Sequence, residues 1–125
     1  MAYDKNASPV GWYVASYVLR FIQLSEPGND DPDKMFPTRE NTILVKATSL
    51  DEAYDKAVGF AAMETRPYKG GETGVDVQWV YEGITSLVPV YEELADGSEI
   101  FFSENEPRKL ETIRNSACDR SELRQ

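Results

Sequence analysis

The segment 11–24, GWYVASYVLRFIQL, constrains the fold more than any other part of this chain. Aromatic and β-branched residues dominate it, and neither glycine nor proline follows Gly11, so it reads as a strand. Alternation puts Tyr13, Ala15, Tyr17, Leu19 and Phe21 on one face. Trp12, Val14, Ser16, Val18, Arg20 and Ile22 lie on the other, and both sets are largely apolar. A half-exposed antiparallel strand shows only one apolar face. This one must lie centrally in a sheet or under a second layer.

The rest of the chain supplies its neighbours. Residues 25–41 read as a loop, punctuated by Pro27, Gly28, Asn29, Pro32 and Pro37. The loop is acidic, with Glu26, Asp30, Asp31, Asp33 and Glu40 against Lys34 and Arg39. Connections of this length inside a compact domain are either functional or mobile. Thr42 to Thr48 forms a second strand. Ser49-Leu50-Asp51-Glu52 is a capping box: the Ser49 hydroxyl accepts from the amide of residue 52, and Glu52 reaches back. The helix it opens carries Leu50, Ala53, Ala57 and Ala61 at helical spacing and ends at Arg66-Pro67. Alanines along one stripe let a helix lie close on a sheet.

Tyr68 to Gly74 reads as a glycine-rich turn, and Val75 to Gly83 as a strand. Val75, Val77, Trp79 and Tyr81 are expected to face Leu50, Ala53, Ala57 and Ala61. Leu87–Leu94 and Ser98–Phe102 flank Asp96-Gly97, a hairpin signal, with Pro89 marking an edge. Pro107 to Asn115 is a candidate short helix with Leu110 and Ile113 as anchors. The expected class is therefore α+β: an antiparallel sheet of about four to five strands with one main helix on one face. The expected order is β-β-α-β-β-β, with an optional C-terminal helix. Residues 1–10 are expected to be a flexible lead-in, 11–103 the single domain, and 104–125 a polar tail.

Composition narrows the chemistry. The chain has no histidine, which removes Ser-His, Cys-His and His-metal sites. Cys118 is the single cysteine, so neither an internal disulfide nor a thiolate zinc cluster can form. The net charge of −9 argues against duplex nucleic acid and anionic membranes as partners. It suits solubility, and it can steer a basic protein toward the surface. Trp12 to Leu24 contains Ser16, Arg20 and Gln23 and is shorter than the ~20 residues of a spanning helix. The first ten residues carry Asp4 and Lys5 and lack a signal-peptide core. The expected location is the cytoplasm.

Each candidate motif has a plainer explanation. Lys69-Gly70-Gly71-Glu72-Thr73-Gly74 lacks the strand, helix and Gly-Lys-Ser/Thr ending of a phosphate loop, and serves better as a turn. Asp30-Asp31-Pro32-Asp33 lacks the alternating ligands of a calcium loop. Glu92 and Glu93 point to opposite faces of a strand, so they are not a paired acid and base. Trp12, Trp79, Tyr13, Tyr17 and Tyr81 lack the basic neighbours of a base-stacking platform.

Several short motifs resemble a known family. Trp12-Tyr13-Val14-Ala15 resembles the opening strand of small bacterial proteins grouped as domain of unknown function 4288. Ile43-Leu44-Val45-Lys46-Ala47 and Ser49-Leu50-Asp51-Glu52-Ala53-Tyr54 resemble the strand and helix that follow. Glu82-Gly83-Ile84, Val90-Tyr91-Glu92-Glu93-Leu94 and Asp96-Gly97-Ser98-Glu99-Ile100-Phe101 extend the similarity over about residues 11–103. The resemblance implies a bacterial protein with this order of elements. It implies no activity and no site residues.

The expected function is a non-catalytic protein-interaction domain. One form is an inhibitor or immunity-type protein that masks a basic bacterial partner. Trp12, Asp30, Asp31 and Asp33 are the expected partner-binding residues, and no catalytic, cofactor or metal residue is assigned. The second apolar face of the first strand suggests a homodimer. The alternatives are a small-ligand binder and an enzyme using carboxylates or an oxygen-bound metal.

Overall fold

The computed structural model describes residues 4–124. Four strands form one antiparallel sheet in the order β2-β1-β4-β3, with the main helix packed against it. The elements are β1 (Trp12–Gln23), β2 (Thr38–Lys46), α1 (Leu50–Ala62), β3 (Tyr68–Gly70), β4 (Val75–Pro89) and a short α2 (Leu110–Asn115). A 3-10 turn follows at Arg120–Leu123. The α+β class is as expected from the sequence.

β1 is central, as its two apolar faces require. β2 pairs along one edge and β4 along the other. Toward the helix, Tyr13 and Ala15 join Val45, Ala47, Ala53 and Ala57 in one cluster. Tyr17 and Leu19 join Ala61 in a second cluster, packed by Trp79 and Tyr81. Ala53, Ala57 and Ala61 have no exposed surface, so the alanine stripe sits directly on the strands. On the far face Val14, Ser16 and Ile22 are also buried. The Ser16 and Thr42 hydroxyls bond each other at 2.8 Å, so the one buried polar group there is satisfied.

β4 is longer than the sequence pattern indicated. It runs through Gly83 to Pro89 as one strand instead of stopping and restarting. The pairing explains how. Ser16 to Leu19 of β1 face Tyr81 to Ser86 of β4, leaving Glu82 and Thr85 as extra residues at two bulges. Bulges bend a strand and increase its twist, so the sheet curls around α1. Gly83 lies between them with φ of +156°, a region side chains rarely adopt. The two bulges break the period-2 pattern of the sequence. Its inward set is Val77, Trp79 and Tyr81, then Ile84 and Leu87. Val75, expected inside, is 38% exposed because it pairs with Gly70 at the short end of the sheet.

Other boundaries shift for local reasons. β2 begins at Thr38, four residues before the expected start at Thr42, because pairing with β1 needs only backbone groups, and Phe21 N–H already donates to Pro37 O at 2.9 Å. Ser49 caps α1 as expected, accepting from Glu52 N at 3.1 Å. The Glu52 carboxylate reaches one residue further, to the Thr48 hydroxyl at 2.9 Å. α1 ends at Ala62, before Arg66-Pro67, because its last turn tightens: Glu64 N–H donates to Ala61 O and Thr65 N–H to Ala62 O. The expected turn at Tyr68 contains β3, where Gly70 lets β4 approach. A Cβ there would stand 2.9 Å from a Val77 methyl.

The expected final hairpin is absent. Ser98 N–H donates to Ala95 O across Asp96-Gly97, so the turn forms, but no ladder flanks it. β1 begins at Trp12, whose carbonyl accepts from Val90 N–H, and it offers nothing further to pair with. The Glu92 carboxylate takes the Glu99 amide instead, at 2.8 Å. Val88, the partner of Val14 on the far face, shares a cavity of about 160 Å³ with Ile100, Phe101 and Phe102. This segment therefore lies along the far face. The expected helix near the C-terminus does form, as α2, but all its residues are exposed and it packs on no other element. Of the expected lead-in, residues 1–3 lie outside the described residues, and Ser8 ties the rest to the core: its Oγ donates to Val90 O and accepts from Trp12 N–H, and its N–H donates to the Tyr13 hydroxyl.

Trp79 meets Phe21 edge-on, with ring centroids 5.1 Å apart, and the Arg39 guanidinium lies 4.8 Å from its ring. Trp79→Ala should lower unfolding stability by about 3 kcal/mol. Val75→Ala should change it by less than about 0.5 kcal/mol, as for other surface positions. Denaturant midpoints check both; equal losses would contradict this assignment of faces.

Candidate functional site

Arg20 is the only charged residue of β1. A cation in an otherwise apolar strand needs partners, and those it finds organise the acidic loop. Its Nε donates to Glu82 Oε2 at 2.7 Å, and Glu82 is one of the bulge residues of β4. Its Nη1 donates to the Asn29 carbonyl at 2.5 Å, and its guanidinium stands 4.7 Å from the Phe36 ring centroid. The Arg20–Glu82 pair is partly exposed. A pair of this kind contributes about 1 kcal/mol or less by charge alone. Backbone bonding holds the loop as well. Leu24 N–H donates to Asp76 O, Asp31 N–H to Gly28 O, and Lys34 N–H to Asp31 O. Asn29 Nδ2 donates to Gln23 O at 2.9 Å, and Lys34 Nζ to Pro27 O at 2.8 Å.

Residues 24–37 thus form a fixed platform. Asp31 Oδ1 accepts from Asp33 N–H at 2.9 Å in a tight local turn. Asp30, Asp31 and Asp33 are exposed, and none belongs to an ion pair among the described residues. Beside them Met35 is 92% exposed. Arg20, Asn29, Asp30, Asp31 and Lys34 border an open, mostly polar cavity of about 450 Å³. The three expected carboxylates are therefore brought together. Trp12 is not with them: it stands at the opposite end of β1, half-buried, with Lys46 Nζ 5.7 Å from its ring centroid.

A second site lies where α1 ends beside β2. The buried Tyr17 hydroxyl donates to Glu64 Oε2 at 2.9 Å, and Asn41 Nδ2 donates to the same oxygen at 2.9 Å. Ile43, Leu44, Phe60 and Met63 complete a groove of about 390 Å³ with Tyr17 and Glu64. Burial pushes the Tyr17 phenol above its ordinary value. The Asn41 amide draws it partly back, and hydrogen bonding and charge from Glu64 raise it further. Burial also raises Tyr81, with a smaller push from Tyr54. Glu64 lies beyond the periodic part of α1, so only the fold reveals its partnership with Tyr17. Met35 carried no sequence signal, whereas Arg20, a lone charge in an apolar strand, did.

In the glycine-rich segment, Lys69 Nζ pairs with Asp76 Oδ1 at 2.8 Å across β3 and β4. Among the described residues no group of three histidine, cysteine, aspartate or glutamate side chains is placed to hold a metal ion. Among them, no helix is long and apolar enough to cross a membrane. Cys118 is exposed.

The chain is thus a small α+β domain in which a curled four-stranded antiparallel sheet carries one helix and an anchored acidic loop. It belongs to the family described as Domain of unknown function (DUF4288), whose model matches residues 12–102. Neither a curated protein nor a solved structure matches it.

The raised Tyr17 value fixes the sign of a pH effect. The folded state holds the phenolic proton more tightly than the unfolded chain does. The stabilising contribution is full below the ordinary tyrosine value of 10.0 and is lost as pH rises through the higher folded value. Tyr17→Phe should flatten the alkaline loss of stability without abolishing it, since Tyr81 shifts the same way. Denaturant midpoints from pH 8 to 11 read this out (roughly one unit either side of the ordinary tyrosine range). An unchanged slope would contradict it.

Proposed function

We propose that this chain is a non-catalytic protein-interaction domain whose docking element is the loop 24–37, and that its partner is a basic protein. The observation that carries this reading is the loop itself. Arg20 and Lys34 hold it in one shape, while Asp30, Asp31 and Asp33 face outward beside an almost fully exposed Met35. Loops ordinarily gain order from contacts that hide their apolar residues. This one is ordered from beneath and leaves its methionine free. Methionine adapts its shape to a partner at little cost, and the carboxylates supply long-range attraction to a cation-rich surface. Because the loop is already ordered, less conformational entropy is lost on docking.

Met35, not Trp12, is the apolar anchor in this arrangement. The family resemblance implies a bacterial setting, and the cytoplasm is the location we propose within it. An inhibitor or immunity-type role is the concrete form: a pre-shaped acidic surface that covers a basic one. A second reading, a small-ligand binder, draws support from the groove at Tyr17 and Glu64. There an apolar lining of Ile43, Phe60 and Met63 meets one shared carboxylate.

The test is affinity capture from native extract with wild type and with Asp30, Asp31 and Asp33 changed to lysine, followed by kinetics on the captured partner. The triple reversal should slow association at least about tenfold and leave folding intact, and added salt should slow the wild type. Met35→Ala should act mainly on dissociation. An association rate indifferent to salt and to the reversal would exclude docking through this loop.

A further inference from the structure

We infer that the free edge of β2 pairs antiparallel with β2 of a second copy of this chain, about a two-fold axis at Ile43. This goes beyond the loop reading and uses a different part of the molecule.

The ladder decides which backbone groups are free. Phe21 N–H donates to Pro37 O and Ala47 N–H to Gly11 O, at the two ends of the β1–β2 pairing. Between them the register runs without a shift from Trp12↔Lys46 to Arg20↔Thr38. Odd-numbered residues of β2 therefore exchange hydrogen bonds with β1. The even-numbered residues Thr38, Glu40, Thr42, Leu44 and Lys46 point their N–H and C=O groups outward. Among the described residues no strand lies beyond β2, and none of the backbone groups of Glu40, Thr42 and Leu44 on that side has a partner. The Lys46 carbonyl is taken by Lys56 Nζ, which closes that end of the edge.

Proteins normally protect such an edge by shortening it, bulging it, or placing a proline or charged side chains on it. On the other edge of the sheet β3 covers only Val75–Val77, and β4 beyond it is interrupted by two bulges. β2 has nine residues, with no bulge against β1 and no proline; its charges are Arg39, Glu40 and Lys46, and its apolar run Ile43-Leu44-Val45 lies toward its C-terminal end. A regular edge of this length, whose outward-bonding charged residues Glu40 and Lys46 have opposite signs, is suited to pairing with its own copy.

Charge selects the cover and its register. With the axis at Ile43, Glu40 faces Lys46 of the second copy, twice over, and Thr42 faces Leu44. All four are outward-bonding residues, so the amides match. Thr42 and Leu44 exchange four hydrogen bonds in total, and Lys46 N–H to Glu40 O adds two without displacing Lys56. Moving the axis to Thr42 keeps the amides matched, but it sets Glu40 against Leu44 and Lys46 against Thr38. Moving it by half a residue opposes outward to inward groups and breaks the ladder. On the helix side the two Ile43 side chains meet at the axis. Phe60 and Met63 stand beside them, 45% and 71% exposed, along the apolar groove that the second copy would close.

Sedimentation velocity of the full chain at tens of micromolar tests this. Wild type should be a dimer. Thr42→Pro, which removes an outward N–H that β1 does not use and also the hydroxyl that bonds Ser16, should be a less stable but still folded monomer by circular dichroism. Glu40→Lys and Lys46→Glu should each weaken dimerisation by roughly tenfold, since each change acts twice across the axis, and the combined swap should restore it. In a Cys118→Ser background, Ile43→Cys should oxidise to a covalent dimer, because facing residues of a non-hydrogen-bonded pair lie within disulfide reach. A monomeric wild type, a dimer unaffected by Thr42→Pro, or a swap that fails to restore would overturn the inference. None of these outcomes bears on the acidic loop, which the triple reversal tests separately.

Discussion

Everything in this domain is arranged around one strand that has no free side. β1 is covered on both faces and hydrogen-bonded along both edges. Its helix-facing residues settle where α1 can lie, and the alanines at positions 53, 57 and 61 settle how close. Flat strands would not wrap a helix this closely. The two extra residues in β4 supply the bend, and each of them also makes a polar contact. Glu82 accepts from Arg20, and the Thr85 hydroxyl donates to Glu40 at 2.7 Å, reaching past β1 to β2. The curvature of the sheet and the anchoring of the acidic loop thus share a cause. Without the first bulge, Glu82 would not be an extra residue beside Val18 and Leu19, where Arg20 reaches it.

How much of this was legible in the sequence follows from what each signal depends on. β1, the capped helix and the alanine stripe rest on local pattern, and the structure has them where the pattern puts them. The inward set Val77, Trp79 and Tyr81 was legible for the same reason. Past Gly83 the pattern fails, because a bulge shifts alternation by one residue and the sequence does not mark it. Ile84 and Leu87 then look like parts of different faces while packing in one core. The hairpin at Asp96-Gly97 failed for another reason. The turn is encoded locally, but a ladder needs a neighbouring strand, and β1 begins too late to provide one. The start of β2 was hidden because Thr38 to Asn41 are polar and owe their strand geometry to backbone pairing alone.

The candidate surfaces divide in the same way. Asp30, Asp31 and Asp33 were visible as a charge cluster in a turn-rich segment. Their rigid presentation was not, since it depends on Arg20 meeting Asn29, Phe36 and Glu82, residues far apart in the chain. The second apolar face of β1 suggested self-association; there Val14, Ser16 and Ile22 are buried within the chain, while Trp12 and Val18 are half-buried. A second copy instead finds its place at β2, where outward backbone groups of Glu40, Thr42 and Leu44 have no partner among the described residues. Trp12 was offered as an anchor on its aromatic character; its ring is half-buried, with Lys46 Nζ 5.7 Å from its centroid.

The account therefore describes a core completed around β1 and an edge left incomplete at β2. Residue-resolved amide hydrogen exchange, followed as protein concentration rises, tests both halves at once. Amides of β1 should be the slowest at every concentration. In β2, Asn41, Ile43 and Val45 should be slow throughout, while Thr42 and Leu44 should exchange freely when dilute and become protected as copies pair. Thr42 and Leu44 amides that stay fast at all concentrations, or β1 amides no slower than those of the edges, would contradict it.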